Sequence, residues 1–377
     1  MKYIWQIKNW HDFKYDVAAV LKPLGELRLI QGKLLGRVAE LNIGLDVDAQ
    51  ASILVEETIR TAQIEGQQFN REAVRSSVAL KLGLPAGVGV PDDRHIDGLV
   101  DVLLDAVRFY DKPLTQARLN GWHASLFPTG YSGLRKIRVG RMRGNEPMQI
   151  VSGPLGKEKI HYEALPRERL DEEMRFFFKW WQTSADQMDG ILRAAQAHLH
   201  FLTIHPYEDG NGRLARAMTD MALSQDEKIK VRYYSVSSEI VRRRNEYYQV
   251  LEDVQNCRVD VTAWYLWFIQ CIHSSIEQSW DIIANILLRH DFWNKHAQTL
   301  ITDRQKKVIN RILEAGPGNF EGGLTTRKYV NIAGVSRATA FREIADLTAK
   351  NILQRLPGSG RNARYDLAWP SVRKIGA

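Results

Sequence analysis

A mainly α-helical fold, with one β-hairpin near its middle and a small helix-and-hairpin domain at its end, is what this 377-residue sequence predicts. Three observations carry that expectation. Most of the first 300 residues place apolar side chains at helical rather than alternating spacing. The stretch 148–166 breaks that pattern with two short strand-like runs. The net charge of +8 gathers at the end, where residues 303–377 hold 14 Lys and Arg against 6 Asp and Glu, leaving 38 of each in the first 302 residues. At this length two or three domains are expected. The divisions predicted are an N-terminal helical region at 1–90, a central domain at 91–300 and a basic domain at 301–377.

In chain order, "DAQASILVEETIRTAQIEG" (48–66) sets Ile53, Leu54 and Ile64 among polar residues and stops at Gly66, a helix with its own terminator. "LGLPAGVGVPDD" (82–93) is punctuated by Pro and Gly and reads as a linker. "MQIVSGPLGKEKIHYEALP" (148–166) puts strand-like runs on either side of "SGPLGK", a hairpin. "RLDEEMRFFFKWWQ" and "DGILRAAQAHLHFLTIH" (189–205) are helical by length and composition. "GRLARAMTDMALSQD" (212–226) keeps Leu214, Met218, Met221 and Ala222 on one face. Near the end, 302–320 and 325–356 carry three short helices, and "PGSGRNARYDL" (357–367) is a hairpin tip.

Composition narrows the function classes. Hydrophobic content of 44% with 25% charged residues is that of a globular protein, and no apolar run nears the ~20 residues of a membrane span. "MKYIWQIKNW" lacks the apolar core of a secretory signal. Two cysteines, Cys257 and Cys271, make neither a disulfide framework nor a metal-ligand spacing. The expected compartment is the cytoplasm, with no membrane partner.

"HPYEDGNGRLAR" (205–216) joins two predicted helices and holds the densest chemistry. Gly210-Asn211-Gly212 can turn successive backbone N–H groups into one anion-binding concavity, and the helix that follows presents its N-terminus to the same spot. Arg213 and Arg216, three apart, project from one side of that first turn; two guanidiniums above such a nest suit several phosphates. Asp209 suits a Mg²⁺ ion bridging phosphate oxygens. His205, at a helix end, can take a proton from an incoming nucleophile. His198, His200 and His205 also allow a zinc reading, but no carboxylate or cysteine completes a zinc spacing.

These residues resemble the Fic family signature H-x-F-x-(D/E)-G-N-G-R-x-x-R, with Tyr207 where the family usually has Phe. "RHIDGLVDVLLDA", "WHASLFPTG", "YYQVLEDVQ" and the 148–166 hairpin extend the likeness. The resemblance implies a Fic-type helical bundle with a hairpin flap, and an enzyme that moves AMP from ATP to a Ser, Thr or Tyr hydroxyl of a target protein. His205 would then be the base and Asp209 the Mg²⁺ ligand. Gly210, Asn211 and Gly212 would hold the α-phosphate, Arg213 the leaving pyrophosphate and Arg216 the γ-phosphate. The flap would receive a target segment as an added strand. Tyr247 and Tyr248 would border the adenine, and Gln255 falls where some relatives carry an Asn near the nucleotide.

"TAQIEG" (61–66) resembles the family's inhibitory motif (S/T)-x-x-x-E-(G/N) through Thr61, Glu65 and Gly66. A carboxylate in the last turn of a helix opposes the helix dipole and gains from a cationic partner, which the resemblance names as Arg216. Such a pair would take the guanidinium away from ATP, leaving an enzyme that restrains itself. Residues 303–377 resemble a winged helix, with Ser336 near the start of a recognition helix carrying Arg337 and Arg342, and Arg361 and Arg364 on the wing. Duplex DNA and a protein or second copy of the chain remain open as its partner. Three functions fit: AMP transfer with self-modification, another Fic reaction (AMP removal or transfer of a different nucleotide), and a transcriptional regulator using the Fic region as a nucleotide sensor.

Overall fold

The computed structural model describes residues 2–39, 43–85, 93–152, 159–256, 259–357 and 363–369. Most of the 82–93 linker expectation lies outside them. The chain divides into two compact units, Met1–Ser279 and Trp280–Ala377.

The first unit opens with a segment pinned through its aromatic residues. Trp5 Nε1 donates to the Glu163 carbonyl at 2.8 Å and Trp10 Nε1 to the Glu173 carboxylate at 3.3 Å, while Lys14 pairs its backbone with Val259 and Val261. Four helices follow: α1 (Val17–Ala39), α2 (Ile43–Ile64), α3 (Arg71–Leu82) and α4 (Arg94–Arg108). Caps set their ends where the sequence supplies them. The Asn70 side chain accepts from the N–H groups of Glu72 and Ala73 to start α3, and Asp93 does the same for α4 through His95.

Next come α5 (Gln116–Leu126), the short pair β1 (Tyr131–Ser132) and β2 (Arg135–Lys136), and the hairpin of β3 (Gln149–Ser152) and β4 (Lys159–Glu163). In that hairpin Ile150 faces Tyr162 and Val151 faces Ile160, so His161 is an extra residue that bulges the second strand. Residues 153–158, which hold the rest of the "SGPLGK" tip, lie outside the described residues.

Helices α6 (Arg167–Thr183), α7 (Gly190–Ile204), α8 (Asn211–Glu227), α9 (Val236–Arg242) and α10 (Arg244–Gln255) complete the bundle. At its centre α7 packs along α8, and the buried alanines Ala194, Ala195 and Ala197 on one with Ala215, Ala217 and Ala222 on the other let the two approach. The apolar face expected for α8 is buried, and so are the other sides of that helix. Every residue from Arg213 to Ser224 is buried, because α2, α4 and α5 cover its other sides. The polar side chains on those sides are therefore interior groups that need partners.

Helix α11 (Thr262–Lys295) starts in the first unit and ends in the second. The second unit then holds α12 (Asp303–Ala315), α13 (Thr326–Ala333), α14 (Arg337–Ala349), β5 (Leu353–Arg355) and β6 (Tyr365–Leu367). Leu324 bridges Tyr365 beside the β5–β6 pair. Its core gathers Val308, Ile309, Ile312, Tyr329, Ile344 and Leu347. The hairpin tip, Arg361 included, lies outside the described residues. Among the described residues no helix is long and apolar enough to cross a membrane.

Candidate functional site

His205 closes α7 in the left-handed conformation, φ 52° and ψ 62°. That turn takes His205 out of the helical repeat that carries His198. Its Nδ1 lies 3.2 Å from the Leu202 carbonyl. A carbonyl only accepts, so Nδ1 carries the proton and Nε2 keeps its lone pair. Although the residue is partly exposed, desolvation of the ring lowers its pKa to about 4. The imidazole is neutral and ready to accept a proton at Nε2.

The loop after it is braced from three directions. Asn211 bridges the backbone of Tyr207, accepting from its N–H at 3.0 Å and donating to its carbonyl at 2.8 Å. The Tyr207 ring is wholly buried, stacked on His123 at 4.4 Å, and its hydroxyl donates to Asn120 at 2.8 Å. The hydroxyl that distinguishes Tyr207 from Phe thus has its own partner in α5. His123 accepts from the Gly140 N–H through Nδ1 and therefore donates through Nε2 to the Asp209 carbonyl. Arg143, also buried, donates through its backbone to the Pro206 carbonyl and through Nε to that of His205, each at 2.9 Å.

The loop ends at Gly210, φ 79°, which caps α8. Asp209 accepts from the Gly210 N–H and from the Ser132 hydroxyl, and its carboxylate lies 4.0 Å from Arg213. A lone, partly exposed carboxylate suits Mg²⁺ shared with substrate phosphates, since Mg²⁺ keeps few protein ligands. Among the described residues no three His, Cys, Asp or Glu cluster in a way that could hold a metal by themselves. The other two histidines of the zinc reading are occupied elsewhere. His198 contacts Thr219 and Tyr247, each at 2.9 Å, and His200 sits among Trp10, Phe177 and Trp180.

Both motif arginines are buried, and both meet the end of α2. Arg216 donates through Nε to the Thr61 hydroxyl at 2.6 Å and through Nη2 to the Thr61 carbonyl at 3.1 Å and the Glu65 carboxylate at 2.7 Å. Burial is the largest influence and works against its charge, yet Glu65, Tyr247 and Glu57 together outweigh it and hold Arg216 above its ordinary pKa. Arg213 stacks over Phe127 at 4.7 Å and donates through Nη1 to Gln67 at 3.3 Å, while its buried Nε has no partner among the described residues.

Local chemistry fixes Glu65 in that position. Gly66, φ 77°, lets the chain turn so that its N–H reaches the Gln63 carbonyl and the Gln67 N–H that of Ala62. This paired closure suits glycine because any Cβ is strained at positive φ. Arg244 donates to the Ile64 carbonyl at 2.9 Å, and buried Glu57 ties α2 to Ser235 and to the N–H of Ser237. The carboxylate then lies against Gly212. A Cβ built there would fall 2.2 Å from Glu65 Oε1, so the close approach requires glycine. Glu65 thereby faces the N-terminus of α8, whose positive end and arginine offset the unfavourable dipole of its own helix.

Of the expected adenine-side pair, Tyr247 is buried and Tyr248 is 43% exposed, so only the second offers a free ring face. The Thr219 hydroxyl donates to the Ala215 carbonyl, so it accepts from His198 Nδ1, and Tyr247 must donate to His198 Nε2. Gln255 is buried in α10. The structure thus gathers His205 and Asp209–Arg216 with Thr61, Glu65 and Gly66 in one place. Sequence reasoning did not name Gln67, Ser132, Asn120, His123 or Arg143. Gln67 had a signal, since it follows the Gly66 turn; the others come from segments distant in the chain.

Residues 113–223 match the Fic/DOC family, and residues 3–84 match DUF4172, a domain of unknown function. Among curated proteins, a uridine 5'-monophosphate transferase of Xanthomonas campestris pv. campestris is 38% identical over 66 residues. That match covers 16% of this chain and 12% of the relative, a small part of its length. Two solved structures share the fold. A Fic family protein from Desulfovibrio desulfuricans aligns with a TM-score of 0.51 at 19% identity, covering 92% of this chain and 96% of its own. A Fic domain containing signaling protein from Bacteroides thetaiotaomicron aligns with a TM-score of 0.51 at 16% identity, covering 67% and 94%. The loop between α7 and α8 therefore lies inside the stretch that matches the Fic/DOC family, and the stretch that matches a domain of unknown function precedes it.

Proposed function

We propose that this protein is a self-inhibited AMP transferase that moves AMP from ATP to a Ser, Thr or Tyr hydroxyl of a protein, its own included. The observation that carries the reading is a neutral imidazole, fixed through Nδ1, standing at a helix N-terminus with two buried arginines. His205 Nε2 takes the proton of the target hydroxyl as its oxygen attacks the α-phosphorus. The bond from that phosphorus to the pyrophosphate oxygen breaks, and pyrophosphate departs with its electron pair. The N–H groups at the start of α8 stabilise charge on the α-phosphate, and Arg213 and Arg216 neutralise the outer phosphates. Asp209 would hold Mg²⁺, which when bound supplies further charge neutralisation to the phosphates. Tyr248, with an open face, would border the adenine and Tyr247 would support it from beneath.

ATP labelled on its α-phosphate tests the reading. Wild-type protein is expected to acquire label slowly, and His205→Ala at least about 100-fold more slowly, as loss of a general base predicts. Equal labelling by both would sink it. A second reading, transfer of another nucleotide, is favoured by the likeness to a uridine 5'-monophosphate transferase; label taken from UTP in preference to ATP would replace AMP with UMP.

Gln67 extends the restraint to the second arginine. Removing its bond to Arg213 loses an uncharged acceptor on a charged donor, about 1 kcal/mol. Gln67→Ala is expected to raise basal labelling about fivefold, measured by initial rate.

A further inference from the structure

The second unit carries a helix-turn-helix whose charges are sorted. Helices α13 and α14 are joined by Gly334, Val335 and Ser336 alone, a connection length typical of that motif. Ser336 caps α14 by accepting from the Thr339 N–H. The two carboxylates of α14 face α12 and α13 and are spoken for. Glu343 takes Arg304 at 3.3 Å and the Tyr329 hydroxyl at 2.7 Å; Asp346 takes Lys350 at 2.6 Å and Gln305 at 2.8 Å.

The solvent side differs. Ala338, Phe341, Arg342, Ala345 and Ala349 fall on one exposed arc of the helix, with Arg337 exposed in its first turn. No acid lies on that arc. Phe341 is 68% exposed, too much for a ring with only a structural duty. Arg355 on β5 and Arg364 beside β6 are exposed on the adjoining hairpin.

We propose that α14 enters the major groove of duplex DNA, with Arg337 and Arg342 on phosphates or guanine edges and Phe341 against a thymine methyl. Arg355 and Arg364 meet the flanking backbone. Three considerations favour DNA. The domain's excess of eight positive charges matches a polyanion. Alanines on the arc let the helix approach base edges closely and contact thymine methyls, whereas protein interfaces are depleted in alanine. Duplex RNA is excluded because its major groove is too deep and narrow for a helix. The proposal is independent of the chemistry at residues 205–216.

The test uses the full-length chain and a fluorescent pool of random-sequence DNA duplexes of about 30 base pairs, read by anisotropy across a salt series. Affinity is expected to fall about 100-fold between roughly 50 and 200 mM salt, the loss for about four phosphate contacts. Arg342→Ala is expected to weaken binding about 5- to 10-fold and to reduce the salt slope by about one. Phe341→Ala is expected to flatten sequence preference after selection from the pool. His205→Ala should bind as wild type does. Absence of duplex binding at the lowest salt overturns the proposal, as do equal affinity for duplex RNA and indifference to the double replacement of Arg337 and Arg342. So does an arc whose Phe341→Ala change dissolves a dimer while leaving DNA binding untouched.

Discussion

Glu65→Gly is expected to raise initial nucleotide transfer, self-labelling included, by about 10- to 100-fold. The estimate follows from one bond. The Glu65 carboxylate accepts from Arg216 at 2.7 Å and crowds Gly212 at the start of α8. A charge-assisted hydrogen bond of this kind contributes about 1.5–3 kcal/mol, and phosphates must displace it before Arg216 can serve them. Deleting the carboxylate removes that competition and shifts the site toward the state that accepts a triphosphate. Stability should move the other way. Arg216 keeps Thr61 but loses its counter-charge, and a buried cation without one costs about 3 kcal/mol. Added ATP should recover more melting temperature in Glu65→Gly than in wild type, because it brings the missing negative charge. Glu65→Gln separates charge from bulk: the amide still reaches Arg216, so its rise in rate should be smaller. Glu65→Gly with unchanged rate and unchanged response to ATP would dispose of the restraint.

What could be read from the sequence was what lies close together in it. The turn between α7 and α8 compresses its chemistry into twelve residues, and the Gly66 stop announces itself as a helix end. Helical spacing also located α2, α6, α7 and α8 well. Failures came where distant segments meet. Pairwise spacing along α8 could not reveal that α2, α4 and α5 would cover its polar sides and make Arg213, Thr219 and Asp220 interior. Arg143, Asn120 and His123 brace the loop through contacts 62 to 87 residues apart in sequence, for which periodicity has no signal. Gln67 is the instructive miss, since the turn that positions Glu65 necessarily carries the next residue toward the neighbouring arginine.

Stability should fall by about 3–4 kcal/mol between pH 6 and pH 5. Four histidines of the bundle have their pKa values pushed down by desolvation: His123 and His205 to about 4, His198 and His200 to about 3. In the unfolded chain each returns to about 6.5. Between those values the unfolded state binds about four more protons than the folded one. Asp220 acts oppositely, because burial raises its carboxyl well above the ordinary range and the folded state keeps a proton that the unfolded state loses. The net is about three protons, and each contributes about 1.4 kcal/mol per pH unit, with stability rising toward higher pH. The histidine contribution is complete above about pH 6.5 and disappears as pH falls toward 4 and 3. Urea midpoints followed by tryptophan fluorescence at pH 7, 6 and 5 measure the slope directly. His200 offers the discriminating variant, since neither ring nitrogen has a hydrogen-bond partner among the described residues and aromatic rings surround it. His200→Leu removes two unsatisfied polar atoms, so it should cost little at pH 7. It should also cut the slope by about one proton and leave the variant more stable than wild type at pH 5. A midpoint flat from pH 7 to 5, or a slope untouched by His200→Leu, would show that these imidazoles are not held neutral by the core.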